Sequence, residues 1–341
     1  MISFESDYNN GCHEAILKRL AETNGERTTG YGLDEFCEAA RAKVREACQR
    51  PDADVFFLVG GTQTNATVID AMLRSFQGVL TADTGHINVH ESGAIEFGGH
   101  KVLALPSHDG KMDAGELSRW LHDFYADPTC DHMVNPGLVY ITFPTEMGTI
   151  YTRAELEAIG AVCREYSLPL FIDGARLGYG LMARGCDVTL PELARLCDVF
   201  YIGGTKCGAL CGEAVVFTHH NAPDHFFTIV KQHGALLAKG RLLGLQFDTL
   251  MTDGLYFDIA RRAVEQALRL REAFIAKGYK MYSDSPTNQQ FVILPTDVIE
   301  RLGRDFVFEQ WFPVGEGLMN CRFVTSWATA DSDVEALIAA L

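Results

Sequence analysis

The chain of 341 residues is 47% hydrophobic, and its 45 acidic and 29 basic side chains give a formal net charge of −16 at pH 7. This charge argues against nucleic acid as a partner, because binding to a phosphate backbone needs a basic surface. No apolar run approaches the length of about 18 residues that a membrane-spanning helix requires, so no membrane partner is expected. The length is enough for one large domain and a smaller one.

Two further features bear on the cellular compartment and on metals. The first residues contain neither a basic region nor an apolar core, so no signal peptide is predicted. Ten cysteines, without the framework of a short secreted protein, indicate reduced thiols and a cytoplasmic location. Cys207 and Cys211 are four residues apart, but no second Cys/His pair at zinc spacing accompanies them, so no metal site is predicted.

Apolar segments typical of strands alternate along the chain with segments of helical pattern. The predicted strands are residues 54–59, 78–81, 101–104, 138–143, 168–173, 198–203 and 213–218. The main helical patterns between them are residues 62–75, 113–125, 153–166 and 191–196. This order predicts an α/β fold with a mostly parallel seven-stranded sheet between helices. Ligands of such sheets bind outside the carboxyl ends of the strands.

The pattern changes from about residue 222, where long helical segments are predicted at 223–237 and 258–277. The tail shows an α+β pattern, with two apolar segments and a final helix at 290–294, 321–325 and 332–341. We therefore predict a large domain over residues 1–240, which includes the N-terminal segment. A linking helix and a small C-terminal α+β domain would follow over residues 241–341.

Two successive strand ends offer a lysine and an aspartate. Lys206 follows the strand 198–203 and its glycines, and Asp173 ends the strand 168–173, three residues before Arg176. Pyridoxal phosphate needs this pair: the lysine forms a Schiff base with the cofactor aldehyde, and the aspartate keeps the pyridine nitrogen protonated. Taken singly, the lysine could be a solvated loop charge and the aspartate a helix cap. Their order and their glycines favour the cofactor.

The turn after the first strong strand is suited to an anion. Gly60 and Gly61 let the backbone approach closely, and the first amides of the following helix point at the anion with the positive end of the helix dipole behind them. Thr62 and Thr64 can add hydroxyl donors. The turn lacks the Gly-Lys-Ser/Thr of the nucleotide P-loop and the Gly-x-Gly-x-x-Gly dinucleotide pattern, so a phosphate monoester is the predicted ligand.

His86 follows the predicted strand 78–81, at the edge of the sheet where the cofactor is expected. Its imidazole could stack on the pyridine ring, close enough to act on a substrate hydroxyl. The alternative is a loop histidine that makes structural hydrogen bonds, which is the interpretation kept for His90.

These motifs resemble those of the L-threonine aldolases, in the β-eliminating-lyase branch of the aspartate-aminotransferase-like, fold-type-I pyridoxal-phosphate enzymes. The resemblance covers nearly the whole chain. The resemblance depends on the following residues and motifs: Ser6-Asp7, Gly30-Tyr31-Gly32, Gly61-Thr62, His86, Asp173-Gly-Ala-Arg176, Lys206, the basic segment 231–241 and Arg322-Phe-Val-Thr325. The pair of Asp173 and Lys206 is shared by all fold-type-I enzymes, so the assignment to the branch depends on the remaining motifs.

The resemblance also implies roles for individual residues. Ser6, Arg176 and Arg322 would hold the α-carboxylate of an amino-acid substrate. Lys231 and Arg241, at the two ends of the basic segment, would reach the cofactor phosphate of the partner subunit. A homodimer or homotetramer with shared active sites is therefore expected.

Two positions depart from the family pattern. Glu5 stands where the family has an arginine, and Glu146 lies in the approximate place of a family histidine, next to the expected β-substituent of the substrate. The identity of the general base is therefore open. His86, directly or through water, is the first choice because imidazole titrates near working pH, and Glu146 is the second.

The activity that the resemblance implies is that of a low-specificity L-threonine aldolase, a lyase of amino-acid metabolism. Such an enzyme cleaves L-threonine, L-allo-threonine or related β-hydroxy-α-amino acids to glycine and an aldehyde. One alternative is a sibling β-eliminating lyase or aminotransferase that acts on another amino acid with the same cofactor. A non-catalytic protein of the same fold is the least favoured alternative, since Lys206, Asp173 and Arg176 are all present.

Overall fold

The computed structural model describes residues 1–341 and contains fourteen α-helices and thirteen β-strands. The helices are α1 (Glu14–Glu22), α2 (Glu35–Cys48), α3 (Gly61–Met72), α4 (His86–Val89), α5 (Ala94–Phe97), α6 (Ala114–Ala126), α7 (Arg153–Glu165), α8 (Leu177–Leu181), α9 (Leu190–Leu196), α10 (Phe226–Gln232), α11 (Arg241–Leu250), α12 (Leu255–Ala276), α13 (Thr296–Leu302) and α14 (Asp331–Ala340). The strands are β1 (Ile2–Ser3), β2 (Asp54–Leu58), β3 (Gln77–Ala82), β4 (Lys101–Leu105), β5 (Asn135–Thr142), β6 (Leu170–Asp173), β7 (Val199–Gly203), β8 (Glu213–Phe217), β9 (Lys280–Met281), β10 (Gln289–Pro295), β11 (Phe306–Val307), β12 (Glu309–Gly315) and β13 (Leu318–Val324).

A seven-stranded sheet forms the centre of the molecule, in the order β2-β8-β7-β6-β5-β3-β4. Strand β8 runs antiparallel to both β2 and β7, and the other neighbouring pairs are parallel. Every residue of β6, β7 and β8 is buried, as expected for a sheet covered on both faces. The prediction of a mostly parallel seven-stranded sheet between helices is confirmed.

Helices cover both faces of this sheet and enclose two hydrophobic clusters. The larger cluster, of 44 buried residues, includes side chains of α2, α7, α9 and α12, and the smaller, of 18, includes side chains of α3, α5 and α10. Neighbouring residues of β7 alternate between the two faces: Phe200 and Ile202 belong to the larger cluster, and Val199 and Tyr201 to the smaller. Tyr201 therefore faces the same side of the sheet as α3.

The C-terminal part of the chain has its own core. Strands β12, β13, β10 and β9 form an antiparallel sheet, and 13 buried residues, several of them from α12, α13 and α14, form a third cluster. This agrees with the predicted small α+β domain. The division between residues 240 and 241 stays a prediction; helix α11, which begins at residue 241, packs against α2.

The N-terminal residues join this C-terminal part. Strand β1 pairs in parallel with β11, and Phe4 is completely buried in the third cluster, beside Phe306 and Phe323. The chain then leads through Ser6 to Asp7, whose carboxylate contacts residues of both parts of the protein.

The helices differ from the sequence-based prediction in two ways. The prediction of one long helix over residues 223–237 is wrong, since only the shorter α10 forms there. His225 before it and Gly234 after it have left-handed backbone conformations, which end the helix on either side. The sequence pattern also missed α1, α2, α11 and α13. Eight of the ten residues of α11 are buried, in part against α2.

None of the helices combines the length and the apolar character needed to cross a membrane. The ten cysteines are unpaired and seven of them are buried. Burial raises the pKa of Cys48 to about 12, so this thiol stays protonated and packs as an apolar side chain. No group of three or more His, Cys, Asp or Glu side chains is arranged to hold a metal ion.

Candidate active site

A cavity of about 230 Å³ lies at the carboxyl edge of the central sheet. Seven of the site residues proposed from the sequence line it together: Gly61, Thr62, His86, Glu146, Asp173, Arg176 and Lys206. The loops after four different strands and the start of α3 supply these residues, which explains how positions far apart in the chain meet. The sequence reasoning had not assigned Tyr8, Glu91 or Tyr201, which also line the cavity.

Asp173, the last residue of β6, is almost completely buried, yet its carboxylate accepts four hydrogen bonds. The donors, at 2.5 to 2.9 Å, are the amide of Ala175 and the side chains of Asn65, Tyr140 and Tyr201. Burial alone would raise the pKa of Asp173, but the charge that His86 carries in its protonated form, together with these hydrogen bonds, holds the pKa below its usual value. The carboxylate is therefore ionised, as required of a partner for a protonated ring nitrogen.

Lys206 lies three residues beyond β7 and lines the cavity. Its backbone carbonyl accepts a hydrogen bond of 2.6 Å from the Tyr179 hydroxyl, which fixes the loop, while its amine has no hydrogen-bond or ion-pair partner in the chain. Burial and the charge of Arg176 lower the pKa of Lys206, although three nearby carboxylates act in the opposite direction. A lowered pKa increases the fraction of neutral amine, which is the form that attacks an aldehyde.

The loop that presents Lys206 is held by Glu213, the first residue of β8. Its Oε2 atom accepts a hydrogen bond from the Gly204 amide at 3.0 Å, and its Oε1 atom accepts one from the Thr205 hydroxyl at 2.7 Å. Burial raises the pKa of Glu213 to about 8 despite these hydrogen bonds. Sequence reasoning missed this residue, although a carboxylate at the start of a fully apolar strand was a usable signal.

His86 is the first residue of α4, and its side chain is 31% exposed in the cavity. The Nδ1 atom lies 2.7 Å from Oε1 of Glu91, which also accepts a hydrogen bond from Asn65 Nδ2 at 2.7 Å. The same Asn65 amide donates to Asp173. A continuous hydrogen-bonded chain therefore joins the imidazole to the buried aspartate, through two residues to which the sequence reasoning gave no role.

Arg176 forms a buried two-point ion pair with Asp7. Its Nε and Nη2 atoms donate to the two carboxylate oxygens at 2.7 and 3.0 Å, and Asn288 donates to the same carboxylate at 2.9 Å. Burial opposes the charge on both partners, but their mutual attraction prevails and keeps the pKa of Asp7 low and that of Arg176 high. The Nη1 atom takes no part in the pair and is free to bind another carboxylate.

The other two residues expected at the substrate carboxylate do not line the cavity of this single chain. The Ser6 hydroxyl accepts a hydrogen bond of 3.4 Å from the Tyr8 amide. Arg322 pairs with Glu309 at 2.6 Å and donates to Gln289 at 2.9 Å. Their role at the carboxylate stays a prediction; the Nη1 and Nη2 atoms of Arg322 are engaged with Gln289 and Glu309.

Glu146 lies between β5 and α7, where its carboxylate accepts a hydrogen bond of 3.0 Å from the Thr142 hydroxyl. Burial raises the pKa of Glu146 to about 7, although a backbone hydrogen bond and the charge of His86 act in the opposite direction. A carboxylate with this pKa can take up or release a proton near neutral pH. The position therefore fits a general base as well as His86 does.

The amino end of α3 opens into the cavity. Gly61 and Thr62 line the cavity there, and no side chain caps the helix at Gly60. The amides of a first helical turn have no partner within the helix, and the helix dipole adds positive potential at this end. Thr64 was also expected here, but its side chain is fully buried and does not line the cavity.

The basic segment lies outside the cavity of its own chain. The Lys231 amine is 4.4 Å from the ring centroid of Tyr31, and Arg241 donates to the Glu26 carbonyl at 3.2 Å while its guanidinium lies over the ring of Phe36. Neither basic side chain lines the cavity. A contact with the cofactor phosphate would have to be made in the site of another subunit.

The fold, together with a cavity lined by an unpartnered lysine and an ionised aspartate, defines a pyridoxal-phosphate enzyme with the fold of aspartate aminotransferase. A family model described as beta-eliminating lyase matches residues 3–296, and the chain belongs to this family. The chain is 31% identical to the low specificity L-threonine aldolase of Pseudomonas aeruginosa over 337 residues. This alignment covers 97% of this chain and 94% of that protein.

Two solved structures are also similar to the chain. The Leishmania major threonine aldolase matches with a TM-score of 0.96 and 41% identity, over 99% of this chain and 98% of that one. The aspartate aminotransferase of Thermus thermophilus matches with a TM-score of 0.70 and 16% identity, over 100% and 90% of the two chains, which shows a shared fold. The resemblance to the threonine aldolases that was drawn from the sequence is confirmed.

The enzymes of this family depend on pyridoxal phosphate. Three observations fit that cofactor to this cavity: a half-buried lysine amine without a partner, an aspartate held ionised by four donors, and an uncapped helix end with glycines. A Cβ atom at Gly61 would lie 3.3 Å from the Tyr201 hydroxyl, so the absence of a side chain keeps this end of the cavity open.

Proposed function

We propose that this protein cleaves L-threonine, L-allo-threonine and related β-hydroxy-α-amino acids to glycine and an aldehyde. The proposal depends on one observation: Lys206 and Asp173 line the same cavity as Arg176, whose Nη1 atom is unpaired. The two candidate bases, His86 and Glu146, line it as well. The similarity to threonine aldolases from Pseudomonas and Leishmania supports the choice of substrate.

The roles of the cofactor-binding residues follow from their positions. When bound, pyridoxal phosphate supplies the electron sink for cleavage of the carbon–carbon bond. Lys206 would hold it covalently, and Asp173 would keep its ring nitrogen protonated. The phosphate would be bound at the amino end of α3, by Gly61 and Thr62, with Lys231 and Arg241 reaching it from a second subunit.

The substrate would be oriented through its carboxylate. The free Nη1 atom of Arg176 is the first contact, and Ser6 and Arg322 are proposed to complete the binding site. A carboxylate held in this way fixes which bond of Cα stands perpendicular to the ring of the cofactor. For aldol cleavage that bond is Cα–Cβ.

The proton of the β-hydroxyl is transferred to His86, directly or through one water molecule. The Cα–Cβ bond then breaks, its electron pair stays at Cα, and the aldehyde leaves. Protonation of Cα completes glycine, and His86 gives up the proton that it accepted, so that the net change is transfer of the β-hydroxyl proton to Cα. His86 would also stack on the cofactor ring, and Glu146 is the second candidate for the base because its pKa is raised to about 7.

The test is product analysis with threonine, followed by two substitutions. The wild-type protein should release glycine and acetaldehyde in equal amounts. His86→Phe keeps a ring in the cavity but removes the proton acceptor, so we expect cofactor binding to survive and cleavage to fall by about 10²–10⁴-fold. A wild-type protein that forms a keto acid and no glycine from any β-hydroxy amino acid would show that the proposed activity is wrong.

Glu146→Gln is the matched comparison. If Glu146 is the base, this variant shows the larger loss, and the wild-type rate rises as the pH increases through about 7, because the carboxyl must lose its proton before it can accept another. If His86 is the base, Glu146→Gln shows the smaller loss. Full rates in both variants would leave a bound water as the base.

We further propose that the protein is a homodimer or homotetramer in which neighbouring subunits share their active sites. In support, the basic segment faces no anion of its own cavity, on a chain of net charge −16. Tyr31, which contacts Lys231, is 43% exposed, and the neighbouring Leu33 is 60% exposed, so this region offers apolar surface for a subunit contact. The ten unpaired cysteines support a cytoplasmic location.

Mixing two inactive variants tests the sharing of sites. Lys206→Ala lacks the cofactor lysine, and the double variant Lys231→Ala/Arg241→Ala lacks the basic groups. If subunits complement each other, mixed dimers contain one intact site and recover glycine release. Sedimentation of the wild type should show a dimer or tetramer. Absence of recovery, or a monomer that binds the cofactor tightly, would contradict the proposal.

A further inference from the structure

We infer that Glu91 is a positioning residue that fixes the tautomer of His86, so that Nε2 is the ring atom left to accept the β-hydroxyl proton. The inference rests on the proposed function in one respect, because it assigns His86 the task of accepting that proton. It adds to the reaction a group that does not itself touch the substrate.

The contact between Glu91 and His86 determines which ring nitrogen carries the hydrogen. Oε1 of Glu91 lies 2.7 Å from Nδ1 of His86, and the glutamate side chain has no exposed surface. Oε1 of Glu91 also accepts a hydrogen bond from Asn65 Nδ2 and so acts as an acceptor, which assigns the hydrogen between the two groups to Nδ1. The neutral ring then carries its lone pair on Nε2, which has no partner within the chain.

A second observation shows that Glu91 is held for this contact. Asn65, which is fully buried on α3, donates to the same Oε1 atom at 2.7 Å, whereas Oε2 of Glu91 is buried and has no hydrogen-bond partner. Both donors therefore converge on the oxygen that holds the imidazole. A buried carboxylate with one unsatisfied oxygen is costly, which argues against a purely structural role.

The arrangement has a chemical consequence. Once Nε2 has accepted a proton, the ring is a cation, and the buried carboxylate at Nδ1 stabilises that charge. This is the relation between histidine and aspartate in a serine-protease triad, where the carboxylate orients the imidazole and stabilises the imidazolium without taking the proton itself. Without Glu91, the neutral ring could carry its hydrogen on Nε2 and then could not act as a base.

Nitrogen NMR of the chain labelled with ¹⁵N-histidine tests the tautomer without cofactor or turnover. The His86 signals are identified by their loss in His86→Phe. In the wild type the neutral ring should carry its hydrogen on Nδ1, and in Glu91→Gln, whose amide can donate as well as accept, a mixture of tautomers should appear. Glu96→Gln, which removes an exposed carboxylate on α5, is the matched control and should leave the spectrum unchanged.

Kinetic measurements distinguish a role of Glu91 in positioning His86 from a role in stabilising the fold. Glu91→Gln should lower kcat about 10²-fold or more with little change in KM, since a misoriented histidine costs up to about 10⁴-fold in the triad enzymes. In the His86→Phe background the same substitution should cause no further loss, because the group that Glu91 positions is already absent. Cofactor absorbance and thermal unfolding should be close to those of the parent in each case.

Three results would overturn the inference: a wild-type neutral ring protonated at Nε2, a Glu91→Gln spectrum identical to the wild type, or a further loss of rate in the His86→Phe background. The first is measured on the unmodified protein, so it does not depend on whether a variant folds. A wild type that releases no glycine would refute the proposed function, yet the spectrum would still decide whether Glu91 fixes the ring.

Discussion

Replacing Lys206 by alanine should abolish glycine release and remove the yellow, borohydride-reducible chromophore expected of the holoenzyme, with the fold intact. Lys206 is the lysine that follows a strand and its glycines beside Asp173, and it lines the cavity with a lowered pKa. The loss should be complete, because no other lysine lines the cavity. The measurements are absorbance before and after borohydride, and glycine formed from threonine.

Lys277→Ala is the matched control for this experiment. Lys277 is an exposed lysine at the end of α12, far along the chain from the cavity residues, so its removal should change neither colour nor rate. Peptide mapping of the reduced wild-type protein should find the label on Lys206. A labelled peptide that contains another lysine would show that the assignment is mistaken.

Asp173→Asn should lower kcat by about 10²-fold or more, because a preorganised charge of this kind is usually worth several kcal/mol in the transition state. The amide keeps the shape of the side chain but cannot hold the pyridine nitrogen protonated. Its NH2 group would also face two donors in place of an oxygen that accepts from both. Thermal unfolding of the variant should therefore be recorded together with its rate.

Tyr201→Phe is the comparison that separates charge from hydrogen bonding. It removes one 2.5 Å donor to Asp173 and leaves the carboxylate in place, so the decrease in rate should be much smaller than that of Asp173→Asn. If Asp173→Asn retained the full kcat, Asp173 would be a structural residue and the source of the electron sink would have to be sought elsewhere.

Site residues could be predicted from the sequence where they directly follow an apolar segment that forms a strand. All seven strands of the central sheet were predicted within a few residues, because each contains a short apolar run, which in β6, β7 and β8 is buried throughout. Asp173 and Lys206 stand at the ends of two such segments, so their common edge could be predicted from topology alone. His86 and Gly61 were found by the same reasoning.

The residues that the sequence did not reveal are buried polar groups whose partners lie on other elements. Tyr140 lies within the apolar run of β5, where the sequence does not distinguish it from its neighbours. Its hydroxyl reaches Asp173 because of the register in which β5 pairs with β6. Asn65 and Glu91 lie on α3 and in the loop after α4, 26 residues apart. Such contacts depend on side-chain direction across strands and helices, which local periodicity does not encode.

The anchoring of the first residues in the C-terminal cluster makes the order of the Arg176–Asp7 pair depend on the last part of the chain. Ile2 pairs with Phe306, and Asp7 is held by Asn288, 281 residues away. Contacts between such distant residues carry a loop-closure cost and are slow to form. We therefore expect the ordered contact between Asp7 and Arg176 to form only after the C-terminal part that contains Asn288 has folded.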